Sequence, residues 1–148
     1  MNKSAVVVGY ATVDYPVRVR DALHGPGTQQ AAALDPANWP RAGGAALYVS
    51  TRMADAGHRA QPLVTLGEDS NGAIFIQACR AANVSTGGIH RTELVRTPWC
   101  LLAYHQDGTY TCLIDTGGVN EQPLTQTQLA LCETADLICM AAAPAANN

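Results

Sequence analysis

The carboxylate of Asp14 and the paired glycines Gly43 and Gly44 are the residues from which a small-molecule site can be built in this sequence. Asp14 lies just beyond the apolar run 5–8, and the carboxyl end of a buried parallel strand faces a ligand crevice. The competing reading is an ordinary turn or strand-end aspartate. The glycine pair stands ahead of a stretch of helical composition. Without side chains the backbone can approach a bound group closely, and a helix start offers free N–H donors with a partial positive charge. A tight helix start with no ligand is the alternative. The five cysteines, Cys79, Cys100, Cys112, Cys132 and Cys139, are scattered without Cys-x-x-Cys spacing, which points to reduced thiols. His24, His58, His90 and His105 lack metal-ligand spacing, and no P-loop is present.

The elements that must hold these residues follow from periodicity. Residues 5–8, Ala-Val-Val-Val, form a continuous run ending at Gly9, as in a strand buried on both faces of a parallel sheet. Residues 12–20 alternate Val17 and Val19 with Arg18 and Arg20, a half-exposed strand; Pro16 suits an edge or a strand start, which sends this strand to a second, smaller sheet. Residues 21–41 carry Gly25-Pro26-Gly27, Asp35-Pro36 and Trp39-Pro40 and read as a loop. A helix over 45–56 presents Ala46, Leu47, Ser50, Met53 and Ala54 and stops at Gly57. A strand over about 61–66 leads to a helix over 72–82, capped by Asp69 or Ser70, with Ile74, Ile76, Cys79 and Ala82 on its apolar face. Alternation of strand and helix at this pace implies βαβ units.

Residues 97–105 and 109–115 flank Gln106-Asp107-Gly108 and read as an antiparallel hairpin that packs with the 13–20 strand. After the turn 116–120 come a helix over 124–133, with Leu124, Leu129 and Leu131 apolar, and a last strand over 135–142. At 148 residues and 15.5 kDa one domain is the expectation, and 47% hydrophobic against 14% charged residues excludes a disordered chain. A net charge of −3 leaves no basic footprint for nucleic acid. The first apolar run is too short for a signal h-region or a membrane span, so the expected setting is cytoplasmic.

Taken in order, Gly9 to Asp14, Gly43-Gly44, Gly67-Glu68-Asp69-Ser70-Asn71-Gly72, the Asp107-Gly108 hairpin and Gly118-Val119-Asn120 resemble the amino-terminal half of the ribokinase-like (PfkB) carbohydrate kinases. The resemblance covers nearly the whole chain. It implies an α/β fold in which a Rossmann-like parallel sheet carries a small antiparallel β lid, with residues 1–148 as the amino-terminal part of the kinase domain and the lid at about 12–20 and 97–115. It also implies phosphorylation of a sugar, polyol or nucleoside hydroxyl by ATP with Mg. Asp14 would accept hydrogen bonds from substrate hydroxyls, as a carboxylate with several lone-pair sites can. Thr12 would stand beside it, the Gly43-Gly44 backbone would close on the substrate, and Cys100 and Asp115 would line the lid.

Two departures shape the functional expectation. Where the family commonly has Asn shortly after the diglycine this chain has Tyr48, which can donate one hydrogen bond and stack on a ring, so a cyclic polyol or a nucleoside is admitted. The family's Gly-Ala-Gly-Asp segment, which supplies the general base and the anion hole, has no counterpart in residues 1–148, and Gly117-Gly118 lacks the following acid. Phosphoryl transfer rests on positioning and electrostatic stabilisation, so no cofactor binding is expected of this chain alone. Three readings stand: the substrate and lid half of a sugar or polyol kinase, a noncatalytic relative that self-associates as a homodimer through its lid or sheet edge, and an unrelated small α/β binding protein.

Overall fold

The computed structural model describes residues 2–20 and 27–141. In chain order the strands and helices are β1 Ser4–Val8, β2 Thr12–Val19, β3 Ala31–Ala33, β4 Arg41–Gly43, α1 Ala45–Asp55, β5 Arg59–Gly67, α2 Ser70–Ala81, β6 Ile89–Thr92, β7 Trp99–Tyr104, β8 Tyr110–Asp115, α3 Gln126–Thr134 and β9 Leu137–Met140. They make two sheets. The first is parallel with strand order β6-β5-β1-β9, and the second runs β3-β2-β7-β8 with β4 also paired to β2.

The β-branched run of β1 sits in the interior of the parallel sheet, where Ala5, Val6 and Val7 are buried, as a strand covered on both faces requires. Against β5 and β1 the helix α1 buries Ala46, Leu47 and Ser50, while α2 buries Gly72, Phe75 and Cys79 where β4 and β2 of the second sheet meet β5. Phe75 and Cys79 are four residues apart and share one helix stripe. The face of α2 therefore centres on Phe75; Ile74 and Ile76 flank it, half-buried. Asp69 caps α2 by accepting from Gly72 N at 2.8 Å, and Gly57, with φ of 83°, closes α1.

The smaller sheet is mixed. Its hairpin, β7 with β8, is antiparallel, as are β3 and β4 against β2, while β2 joins β7 in parallel with Asp14 opposite Cys100. Several local expectations change. Residues 21–41 are not all loop: β3, a 3-10 turn at Pro36–Asn38 and the start of β4 lie within them, and residues 21–26 fall outside the described set. Pro16 is interior to its sheet, neither at an edge nor at a strand start. Its neighbours on one side break at that point, β4 covering Thr12 to Asp14 and β3 covering Val17 to Val19. The Pro16 carbonyl accepts from Leu34 N at 3.0 Å on that side, so the missing N–H falls in the gap.

A further correction concerns α3. Its buried residue is Gln128, only 2% exposed, while Leu124 and Leu129 face outward. The Gln128 amide donates to the carbonyls of Val64 at 3.1 Å and Gly88 at 3.0 Å, fastening the helix by polar contacts. Thr125 and Gln128 form a reciprocal capping box. The last strand is shorter than read, Leu137–Met140, and Ala142 lies outside the described residues.

Candidate functional site

Side chains alternate across a strand, so the register of the smaller sheet sorts its residues into two faces. Thr12 and Asp14 of β2 share a face with Cys100 and Leu102 of β7 and with Cys112 and Ile114 of β8. Tyr15, Trp99, Leu101, Leu113 and Asp115 occupy the other.

On the first face Asp14 is 9% exposed and accepts from Thr12 Oγ1 at 2.9 Å. Thr12 pairs with Gly43 of β4, and a β-carbon on Gly43 would run into the Asp14 carboxylate. The first glycine of the pair thus makes room for the acid. The second has φ of 91°, a conformation that side-chain-bearing residues rarely adopt, and a β-carbon there would run into the Tyr10 carbonyl. That carbonyl also accepts from Ala46 N at 3.0 Å, so one of the free N–H groups at the start of α1 is spent on the fold.

Cys100 is buried beside Asp14. Burial, the neighbouring Cys112 thiol and the Asp14 carboxylate push its thiol up to about 12, so it is a neutral wall of the site. Four predicted residues, Thr12, Asp14, Gly43 and Cys100, therefore come together, with Gly44 directly behind them. Tyr48 sits one turn into α1, 53% exposed; its backbone N–H donates to the Gly44 carbonyl at 3.3 Å, and among the described residues no side-chain hydrogen bond or ring contact joins it to the others.

The structure places Asp115 on the opposite face. Its carboxylate accepts from Gly117 N at 2.8 Å and from Arg96 Nη2 at 2.9 Å. Those bonds hold its carboxyl below the usual carboxylate range, led by the Gly117 N–H. Asp69, by contrast, gains a position that sequence reading does not assign: besides Gly72 N it accepts from Thr97 N at 2.8 Å. Thr97 Oγ1 in turn accepts from Gly67 N at 3.0 Å. Burial pushes the Asp69 carboxyl up, and the N–H bonds from Thr97 and Gly72 outweigh it, leaving the group below its ordinary value. This knot ties the turn after β5 to the segment leading into β7. The Gly-x-Asp-x-x-Gly spacing was its only sequence signal, and the partner Thr97 had none.

A cavity of about 160 Å³ opens at the carboxyl end of β1 beside the middle of β5, lined in part by Gly9, Tyr10, Pro98, Asn120 and Gln122. It occupies the crevice position of an α/β sheet. The Gly-Ala-Gly-Asp sequence is absent, and among the described residues no three His, Cys, Asp or Glu side chains converge as a metal ion requires.

The sequence matches the model of the pfkB family carbohydrate kinases over residues 2–147. No curated protein matches it. Among solved structures, Arabidopsis thaliana ribokinase complexed with ribose and ATP superposes with a TM-score of 0.73 at 20% identity, covering 93% of this chain and 45% of that one. Ribokinase from Cryptococcus neoformans, in complex with ADP, gives 0.66 at 19% identity over 80% of this chain and 36% of that one. Methanocaldococcus jannaschii nucleoside kinase gives 0.65 at 17% identity over 82% and 40%. The chain spans less than half the length of these structures.

Proposed function

Because this chain belongs to the pfkB family of carbohydrate kinases, we propose that it carries the hydroxyl-binding and lid half of an enzyme that phosphorylates a sugar, polyol or nucleoside with ATP and Mg. The carrying observation is the Asp14 carboxylate, buried among Thr12, Gly43 and Cys100 on one face of the smaller sheet. Asp14 accepts hydrogen bonds from two neighbouring substrate hydroxyls, Thr12 holds one of its oxygens in place, and the side-chain-free Gly43-Gly44 backbone lets the ring come close. Tyr48 stands at the rim. Asp115 serves this reading indirectly, by fixing the end of β8. The general base and anion hole belong to sequence outside residues 1–148. The five free cysteines fit a reducing, cytoplasmic setting.

A second reading is favoured by the outward faces of the edge strands. Tyr110, Leu113 and Ile114 on β8, and Ile138 and Met140 on β9, are exposed large apolar residues. A homodimer formed through the lid or the β9 edge covers them, with or without catalysis.

Calorimetric titration of the chain with ribose, a cyclic polyol and a nucleoside tests the first reading. One of them binds, and Asp14→Asn weakens it at least roughly tenfold while leaving the melting temperature unchanged, since charge-assisted hydrogen bonds are each worth about 1.5–3 kcal/mol. Equal binding by the variant assigns Asp14 to the fold instead.

A further inference from the structure

On the face of β2 opposite Asp14, both tryptophans of the chain converge on one tyrosine. Trp39 and Trp99 meet Tyr15 edge-to-face, with ring centroids at 5.4 Å and 6.1 Å and interplanar angles of 82° and 87°. With Asn71 and Leu101 these rings line a cavity of about 310 Å³, at the lower end of the range for ligand sites of about 300–1,000 Å³. We propose that this aromatic cleft binds a planar nitrogen-heteroaromatic ring of the nucleobase class, at a place separate from the Asp14 site.

Three observations select that chemistry. An edge-to-face contact occupies at most one face of each indole, and Trp39, 41% exposed, keeps a face for stacking. The polar lining is sparse. Asn71 Oδ1 accepts from the Tyr15 hydroxyl at 2.7 Å, and among the described residues its amide nitrogen donates to no protein group, leaving donors for a ring nitrogen or carbonyl. A hydroxyl-rich sugar would leave several hydroxyls unpaired in such a lining, whereas a heteroaromatic ring needs one or two polar partners. A quaternary cation is disfavoured because the nearby Asp115 carboxylate is neutralised by Arg96.

Tryptophan fluorescence reads the cleft directly, because no tryptophan lies elsewhere. The full chain is titrated with free adenine, uracil, ribose and choline. Adenine or uracil gives a saturable quench, and ribose and choline give none. Trp39→Leu and Asn71→Ala each weaken base binding at least about fivefold, as loss of a stacking or edge partner does, while Asp14→Asn leaves it unchanged. Circular dichroism confirms the fold of each variant, and if Trp39→Leu unfolds, Asn71→Ala decides. The proposal is overturned by the absence of a saturable quench, by a quench that choline alone produces, or by base binding that both cleft variants retain. Loss of the quench in Asp14→Asn overturns it too, because the base then occupies the other site. So does emission that changes with protein concentration but not with base, which means a second copy covers the cleft.

Discussion

At the scale of single residues, the groups with the most at stake are small or buried. Gly43 exists to admit the Asp14 carboxylate, so Gly43→Ala displaces that side chain and reduces binding of a hydroxyl ligand at least roughly tenfold, measured by the same calorimetry. Ser50 shows the opposite balance. Its Oγ is buried in α1 without a partner among the described residues, so Ser50→Ala removes a desolvation cost and raises stability by about 1 kcal/mol, read from the urea midpoint. Asp69 links stability to pH. Its folded carboxyl lies below the ordinary 3.8, so its contribution is complete above that value and is lost as pH falls through the lower folded value. Asp69→Asn keeps a capping acceptor but removes the charge, so the loss of melting temperature between about pH 5 and pH 3 becomes shallower than in the parent. An unchanged slope would assign the acid sensitivity to other carboxylates. Asp14, the glycine pair and Cys100 could be named from the sequence because the order of motifs places them. Tyr15, Trp39 and Trp99 could not, since nothing in their spacing brings 15, 39 and 99 together before the strand register is known.

At the scale of elements, what could be read is what local chemistry dictates. The continuous β-branched run of β1 and the Asp107-Gly108 hairpin were legible, the latter because Gly108, with φ of 85°, and the Asp107 carboxylate accepting from Thr109 N at 2.9 Å form the turn by themselves. β3 was not, because Ala-Ala-Ala has little strand preference of its own and borrows its pairing from β2. Pro16 misleads for a related reason, since the rule that confines proline to edges concerns pairing, and pairing lapses there on one side. For α3 Leu129 points outward and a glutamine inward, an inversion that depends on the carbonyls of Val64 and Gly88. Gln128→Ala leaves those acceptors without this donor and removes the anchor of the helix, so the chain loses about 1–3 kcal/mol in urea denaturation, with the earliest hydrogen exchange confined to residues 126–134. Uniform exchange across the chain would show that α3 is held by its apolar side chains instead.

At the scale of the whole molecule, the arrangement is a parallel sheet carrying a separate mixed sheet, with the candidate acid on the smaller one and the crevice at the carboxyl end of β1 in the larger. The family and the fold were within reach of sequence reading because the motifs are ordered along the chain. The substrate was not, because its selection depends on side chains that only the folded sheet places on a common face. The proposed division of labour, with residues 1–148 holding the hydroxyl-bearing substrate and phosphoryl transfer drawing on groups outside them, is the central claim. The most direct test is a coupled assay of ADP release by the purified 148-residue chain with MgATP and whichever sugar, polyol or nucleoside it binds. The account predicts no release above the no-enzyme rate. Sustained turnover that Asp14→Asn abolishes would contradict it, by placing the complete catalytic machinery within this chain.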